Sequence, residues 1–494
     1  MTFSKHPTAQ QDDVTATVKA NTYNLAVIMF ASLGSFTYGY NSSIIASVFA
    51  ANGLFYGGGI IGSLTVNYLL NKLGRCKSIQ LICVLCIIST IIQGAAVHIA
   101  MILVGRLLSG VGVGMMQVTI PAYMIGSHGV SIVIGYTTAA LTGLGCYFSK
   151  PGMEWRLCLS LQVVGPIILL SGSSWLPESP RWLLAQRRDQ QTLNVLRKLH
   201  NQGGDHASHG ADEEFFQILV QLELEKENGV LGLLDMIKRE SYRKRILAGL
   251  LVQFASQSTG VLVINNYQVL LYNNLGLYGW LPLLLYTLFS AWGAFSNWVN
   301  SVLLDWLGRV PVLAYGLIGC ISVMIVETAL VASYASTSNT GGNAAAVLFL
   351  FLFIMFYGGT QDASSYVYCS EIFPTRARAH GLGICIAGLF ATALLYTEAY
   401  PVAFAAIGWR YYIVFILIPA ACVVFVRRLP ETKGLSLEEI ASSFGDEVDV
   451  NTEHWTDERI NAINGRLRAI GLSISVERPC SSEVEAKVVT SHQE

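Results

Sequence analysis

The sequence has little charge for its length and almost no net charge. Asp, Glu, Lys and Arg make up 13% of its 494 residues, and the formal net charge is -1, whereas about 25% of the residues of a soluble domain are charged. The mean hydropathy is correspondingly high, at +0.49. The low charge favours a lipid bilayer as the solvent, and the near-zero balance gives no reason to expect a nucleic-acid partner.

Sequence features of enzymes and cofactor-binding proteins are also missing. The chain has no cluster of metal-ligating residues, no Gly-x-x-x-x-Gly-Lys phosphate loop and no nucleophile elbow, so we expect neither catalysis nor a cofactor. Cys83 and Cys86 form a C-x-x-C pair, but no second ligand pair lies beside them. We interpret them as small apolar residues of a helix. The polar first 20 residues predict no removable signal peptide.

The sequence is rich in long apolar runs. A hydrocarbon core about 30 Å thick requires about 20 apolar residues per helix. Runs of that length lie near residues 23–46, 49–70, 79–98, 100–123, 127–148, 156–176, 246–271, 279–303, 310–333, 345–368, 381–404 and 410–427. They predict an all-α membrane protein with twelve transmembrane helices.

Positive charge is concentrated at alternate ends of these runs. Lys72, Arg75 and Lys77 follow the second run, whereas the loops at 272–278 and 334–344 contain neither Lys nor Arg. Because cytoplasmic loops carry an excess of positive charge, both termini are predicted to be cytosolic. The predicted organisation is an N-terminal tail (1–22), a six-helix bundle (23–176), a cytosolic helical linker (177–245), a second six-helix bundle (246–428) and a C-terminal tail (429–494).

Short motifs recur at corresponding places in the two halves. LGRCK (73–77) follows the second run and LGRVP (307–311) the eighth; PESPRWL (177–183) follows the sixth run and PETKGL (430–435) the twelfth. Such an internal repeat is typical of transporters built from two related halves, with the substrate site between them near the membrane midplane. The sequence therefore predicts two pseudo-symmetric bundles.

Together with GRLLSGVGVGMM (105–116) and SEIFPTRARAHG (370–381), these motifs resemble the sugar porter family of the major facilitator superfamily, particularly its fungal members. The resemblance extends over about residues 23–440. It implies a plasma-membrane transporter, hexose or lactose permease-like, that moves a monosaccharide or disaccharide by alternating access. A transporter-like sugar sensor and an inactive truncated transporter remain as alternatives, although sensors of this family usually have a longer cytosolic tail.

The first half is shorter than the second between matching motifs. Arg75 and Glu178 are 103 positions apart, whereas Arg309 and Glu431 are 122 apart. The difference coincides with very short connections near 46–50 and 124–127. A natural deletion, a splice variant or a mis-joined gene model would each produce them.

Polar side chains inside the runs are functional candidates, because hydrocarbon offers them no partner. By the resemblance, Asn41 holds a position where proton-coupled relatives have an aspartate facing an arginine, here Arg106. Asn cannot exchange a proton, so we expect facilitated diffusion slightly more than proton symport. For symport, Asp362 or Glu398 is the replacement acid.

Amide and aromatic side chains suit sugars, since amides match paired hydroxyls and rings match C–H surfaces. The candidate substrate-binding residues are Gln253, Gln257, Asn265, Asn266, Asn297, Tyr366 and Glu398. At 100° per residue a straight helix cannot direct Gln257, Asn265 and Asn266 at one ligand. A bend is therefore expected at Thr259-Gly260.

Charged residues at the predicted cytosolic ends form a candidate gate. They are Arg75, Glu178, Arg181, Asp305, Arg309, Glu371, Arg376 and Glu431. We expect these residues to pair across the two halves and to separate when the inner face opens. Exposed pairs contribute about 0 to 1 kcal/mol each, and the short connection after Met124 removes partners, so the predicted latch is weak and biased towards the inward-facing state.

Overall fold

The computed structural model describes residues 22–43, 49–123, 128–150, 153–200, 206–227, 233–334, 339–374, 377–435, 437–445 and 464–467. Within these ranges the regular structure is helical throughout. The predicted gate residue Arg376 and most of the two short connections, at 44–48 and 124–127, lie outside the described residues.

Twelve membrane-crossing segments follow one another in the described chain, as the apolar runs predict. In the first half they are span 1 (Thr22–Ala31 and Leu33–Ser43), span 2 (Phe49–Leu73), span 3 (Arg75–Gly94), span 4 (Ile99–Tyr123), span 5 (His128–Tyr147) and span 6 (Glu154–Leu161 and Val164–Gly172). In the second half they are span 7 (Glu240–Ser258 and Val261–Asn274), span 8 (Leu281–Leu307), span 9 (Arg309–Tyr334), span 10 (Thr340–Tyr357, a π-helical turn Gly358–Asp362, and Ala363–Glu371), span 11 (Arg378–Ile407) and span 12 (Gly408–Ile413 and Val414–Val426).

The outer faces of these helices remain apolar. Ile91, Leu395 and Leu417 are each at least 60% exposed, although a soluble protein would bury such side chains. In the part of the chain that the structure describes, nine helical stretches are long and apolar enough to cross a membrane by length and composition alone, and the last of them, Arg378–Val426, contains spans 11 and 12. The exposed surface is thus suited to contact with hydrocarbon.

Glycine allows spans 2 and 4 to pack backbone against backbone. A Cβ atom at Gly110 would lie 2.1 Å from the carbonyl oxygen of Phe55, and one at Gly58 would lie 2.3 Å from the carbonyl oxygen of Leu107. No side chain fits at such distances. Small residues at helix contacts are the usual means of close packing in membranes, where the hydrophobic effect does not drive helices together.

The two bundles contact one another along two pairs of helices, spans 2 and 11 and spans 5 and 8. Hydrogen bonds also cross between the halves. Asn266 of span 7 donates to the hydroxyl of Tyr56 at 3.1 Å, and Gln117 of span 4 donates to the hydroxyl of Tyr366 at 3.2 Å. Polar side chains therefore connect the halves inside the membrane region.

Span 7 is broken where the sequence predicted a bend. Its first helix ends at Ser258 and its second begins at Val261. Between them Gly260 has a φ of +87°, in the left-handed region that side chains other than glycine rarely adopt. A Cβ at Gly260 would also lie 2.8 Å from the ring of Phe415. The position consequently requires glycine for both backbone conformation and space.

The linker between the halves forms a small helical unit of its own. Helices Pro180–Ala185, Asp189–His200 and His206–Glu227 enclose an apolar cluster containing Leu193, Leu196 and Phe215. Leu467 from the C-terminal tail is buried in the same cluster. Beside it, the guanidinium of Arg466 contacts the carboxylate of Asp189 with two hydrogen bonds, at 2.6 and 3.0 Å. A segment of the tail is thereby attached to the linker.

Candidate substrate site

A narrow cavity of about 40 Å³ lies between the two bundles. Spans 1, 5, 7, 8 and 10 contribute its wall, so both halves line it. The lining residues are Tyr38, Ile132, Val133, Tyr136, Gln257, Val261, Leu262, Asn265, Phe289, Ser290, Gly293, Ile354, Tyr357, Gly358, Asp362 and Tyr366.

Two predicted amides of span 7 reach this cavity from either side of the helix break. Gln257 precedes Gly260 and Asn265 follows it, and both line the wall. The side-chain oxygen of Gln257 is buried and has no hydrogen-bond partner among the described residues. Because an unsatisfied buried acceptor costs about 1 to 3 kcal/mol, this oxygen is available for a ligand hydroxyl.

Three other predicted binding residues bond to protein groups and do not line the cavity. Gln253 donates to the sulfur of Cys369 at 3.6 Å, and Asn266 donates to Tyr56. Asn297 lies behind the wall and donates to Asp362. The adjacent amides Asn265 and Asn266 diverge because they are about 100° apart on the helix.

Glu398 also lies outside the cavity. Its side chain is exposed, and its carboxylate accepts a hydrogen bond from the backbone of Gly53 in span 2. The structure therefore places Glu398 apart from Gln257, Asn265 and Tyr366, the predicted binding residues that line the cavity. Glu398 lies instead at the contact between spans 2 and 11.

Asp362 is the carboxylate of the cavity wall. It closes the π-helical turn of span 10, an irregularity that often occurs at functional sites. The Asn297 amide donates to one of its oxygens, and Tyr357 and Tyr366 line the same cavity. No Lys, Arg or His is among the described side chains that line the cavity.

The aromatic part of the wall was missed by the sequence analysis. Tyr38, Tyr136, Phe289 and Tyr357 line the cavity together with the predicted Tyr366. The rings of Tyr38 and Tyr136 meet edge to face, with centroids 6.3 Å apart. The dense aromatic sequence FTYGY at 36–40 was the one available signal, because a single tyrosine in an apolar helix has the same pattern whether it faces a cavity or a neighbouring helix.

Asn41 and Arg106 are brought together, as the resemblance implied. Arg106 is fully buried, and its Nη1 donates to the backbone oxygen of Asn41 at 2.9 Å. The Asn41 side-chain oxygen accepts from the hydroxyl of Ser109, also at 2.9 Å. The guanidinium carbon lies 4.8 Å from the ring centroid of Phe55, and Nε and Nη2 have no hydrogen-bond partner among the described residues. Arg106 thus contacts uncharged polar and aromatic groups. A carboxylate in their place would neutralise its positive charge.

The gate glutamates bind helix ends within their own halves. The carboxylate of Glu178 accepts from the backbone N–H groups of Arg75 and Cys76, at 2.7 and 3.1 Å. Glu431 does the same at Arg309 and Val310, at 2.9 and 3.0 Å. The expectation of pairing across the halves is corrected for these two residues, because the free N–H groups and positive dipole at a helix start attract a carboxylate.

Another gate pair also forms inside the second half. Arg309 contacts Glu371 with Nη2 and Nε, at 2.9 and 3.1 Å, and Thr432 donates to the same carboxylate at 2.6 Å. Asp305 is exposed at the end of span 8. Arg181 belongs to the linker helix Pro180–Ala185.

Among the described residues, twelve membrane-crossing segments form two bundles around a central cavity, which is the architecture of a multi-pass membrane transporter. The sequence model of the family described as Sugar (and other) transporter matches residues 50–444. The chain belongs to this family of sugar transporters.

Relatives and solved structures are consistent with this assignment. The chain is 30% identical over 474 residues to the MFS-type transporter criB of Aspergillus cristatus, with 88% of this chain and 97% of the relative covered. It is 27% identical over 456 residues to the high-affinity glucose transporter of Kluyveromyces lactis, with 85% and 79% covered. The fold is similar to that of the proton:xylose symporter XylE bound to 6-bromo-6-deoxy-D-glucose, with a TM-score of 0.73 at 20% identity, covering 86% of this chain and 100% of that one. For the inward-open conformation of XylE the TM-score is 0.65, at 19% identity, with 85% and 99% covered.

Proposed function

We propose that the protein moves a sugar across the plasma membrane by alternating access, with both termini in the cytosol. The observation that carries this proposal is the cavity between the halves, whose wall combines the amides of Gln257 and Asn265 with aromatic rings. Amides satisfy ligand hydroxyls and rings cover C–H surface. The high-affinity glucose transporter of Kluyveromyces lactis among the relatives supports a hexose as the first substrate to test.

Facilitated diffusion fits the surroundings of Arg106 better than proton symport does. The groups that contact Arg106 are the Asn41 backbone and the Phe55 ring, and neither exchanges protons near neutral pH. Symport remains the second mechanism because Asp362 lies in the cavity wall, where a carboxylate could take up a proton as the halves move.

Uptake of radiolabelled hexoses, xylose and disaccharides by a yeast strain lacking its own sugar transporters tests the function. We expect uptake of at least one sugar, insensitive to a protonophore. Uptake that collapses with the protonophore at an unchanged sugar gradient would establish symport, and sugar binding without uptake by correctly inserted protein would indicate a sensor.

A matched pair of variants in span 7 tests the site. Gln257→Ala removes an amide of the cavity wall, whereas Gln253→Ala removes a buried amide one helical turn away that bonds to Cys369. Because a buried hydrogen bond contributes about 1 kcal/mol, we expect Gln257→Ala to raise the half-saturating sugar concentration by about fivefold and Gln253→Ala to leave it within about twofold. Equal effects of the two variants would argue against this cavity as the sugar site.

A further inference from the structure

The central cavity contains a carboxyl group, and none of the described side chains that line the cavity is cationic. Asp362 lines the wall and is partly exposed to the cavity. Its hydrogen-bond donor is the neutral amide of Asn297. The other polar side chains of the wall belong to Gln257, Asn265, Ser290 and four tyrosines, and none of these is cationic.

An ionised carboxylate inside the membrane region requires compensation. Taking a charge out of water costs several kcal/mol unless a counter-charge and hydrogen bonds replace the solvent. One amide donor supplies a hydrogen bond to Asp362 but no counter-charge. A cationic group of the ligand would supply this counter-charge, because Asp362 is accessible from the cavity.

The surrounding rings fit the same kind of ligand. Tyr38, Tyr357 and Tyr366 line the same cavity as Asp362. Aromatic rings attract ammonium groups through their negative faces, and this attraction partly replaces the hydration that the ammonium group loses. A purely aliphatic wall would remove the hydration and offer no such attraction. Carboxylate and rings together form the usual composition of an ammonium-binding cage.

Two of these tyrosines have hydroxyl groups that are held by other side chains. The Tyr357 hydroxyl pairs with that of Ser256 at 3.1 Å, and the Tyr366 hydroxyl accepts from Gln117 at 3.2 Å. Their positions are therefore fixed before a ligand arrives, and a preorganised wall loses less entropy on binding. The amides of Gln257 and Asn265 remain in the wall for ligand hydroxyls.

We infer that the cavity selects a sugar bearing a protonated amine, with Asp362 as its counter-charge and the tyrosine rings as the surrounding wall. The inference rests on the proposed function, since the ligand occupies the same transport cavity. It assigns Asp362 to substrate selection: a neutral hexose meets the amides but leaves the carboxylate unbalanced, whereas an amino sugar satisfies both.

The test is equilibrium binding by calorimetry to the purified full-length protein in detergent at pH 6.5, where the amine is protonated. The probes are D-glucosamine, D-glucose and 2-phenylethylamine, a non-sugar amine. The variants are Asp362→Asn, which removes the charge, Asp362→Glu, which keeps it, and Gln257→Ala, which removes an amide. Size-exclusion profiles and melting temperatures establish that each variant is folded.

For the unmodified protein we expect glucosamine to bind about tenfold more tightly than glucose, the ratio that 1.4 kcal/mol of added attraction gives. Asp362→Asn should bring the ratio to within about twofold, Asp362→Glu should retain a preference for glucosamine, and Gln257→Ala should weaken both sugars alike. If Asp362→Asn fails to fold, the inference is still supported when Asp362→Glu keeps the preference for glucosamine over glucose and Gln257→Ala does not alter it. If the unmodified protein shows no preference for glucosamine, the inference is overturned.

The outcomes separate this inference from the proposed function. Equal binding of glucose and glucosamine overturns the amine selectivity and leaves sugar transport in place. Binding of phenylethylamine that Asp362→Asn abolishes, without binding of either sugar, overturns sugar transport and supports a cation site. Binding of none of the three probes by folded protein overturns both proposals.

Discussion

Replacing Asn41 with Asp places a carboxylate beside a buried arginine. Arg106 is 0% exposed, and two of its three nitrogen atoms have no hydrogen-bond partner in the described part of the chain. The side-chain oxygen of Asn41 already accepts from Ser109, and its nitrogen donates to the carbonyl oxygen of Thr37 at 2.9 Å. Aspartate has nearly the same shape, so the substitution changes charge without repacking the helices.

The expected gain follows from the opposing contributions. Two unit charges about 4 Å apart attract by about 4 kcal/mol at an effective dielectric constant of about 20. Desolvation of the new carboxylate cancels a large part of this attraction, and loss of the hydrogen bond to Thr37 removes about 1 kcal/mol. A net stabilisation of about 1 to 2 kcal/mol remains, which raises the melting temperature by a few degrees.

Thermal unfolding of the purified protein in detergent measures this gain. Asn41→Asp should melt at a higher temperature than the unmodified protein at pH 7.5, and the advantage should persist at pH 5, because an aspartate paired with a cation remains ionised there. Asn67→Asp is the matched control: Asn67 is equally buried in span 2 and lies beside Gly383, so its substitution should lower the melting temperature.

Two results would refute the reasoning. If Asn41→Asp destabilises the protein as much as Asn67→Asp, the buried guanidinium does not stabilise a nearby carboxylate. If uptake by Asn41→Asp cells is as independent of external pH as that of the unmodified transporter, the proposed pairing with Arg106 has no part in proton coupling.

Three further substitutions test other parts of the structure. Glu431→Gln weakens the carboxylate cap at the start of span 9 and should lower stability by about 1 to 2 kcal/mol; an unchanged melting temperature would show that the cap contributes nothing. Gly260→Ala adds a methyl group 2.8 Å from an aromatic ring at a φ of +87°, whereas Gly276→Ala, at +83°, meets nothing within 4 Å. We expect loss of stability to be larger at Gly260 than at Gly276, and equal losses would mean that the backbone conformation alone is responsible. Asp189→Asn breaks the bond to the arginine of the tail and should speed limited proteolysis of the tail; an unaltered cleavage rate would contradict a structural role for this ion pair.

The order and number of the spans could be predicted because hydrocarbon imposes a length on every helix that crosses it. Their ends could not. Span 3 was predicted at 79–98 and forms at Arg75–Gly94, since its first N–H groups are satisfied by Glu178, about 100 residues further along the chain. Local hydropathy contains no information about such a distant partner.

The candidate site was predictable where the chemistry of a side chain is unusual for its surroundings. Amides in an apolar helix are rare enough to indicate Gln257 and Asn265, and the glycine between them indicated the bend. The aromatic wall was not predictable because Tyr136 and Phe289 have the composition of ordinary packing residues. Glu398 was misplaced because the sequence does not give the rotation of span 11 about its own axis.

The break at Gly260 makes the second part of span 7 a short segment with two different contacts. Asn265 faces the cavity, and its neighbour Asn266 donates to Tyr56 in the opposite half. The segment Val261–Asn274 is a continuous helix, so its two amides move together. A ligand that draws Asn265 towards it therefore also shifts the hydrogen bond between Asn266 and Tyr56, which joins the halves. Recognition of the ligand and closure of the cavity over it then occur in a single movement.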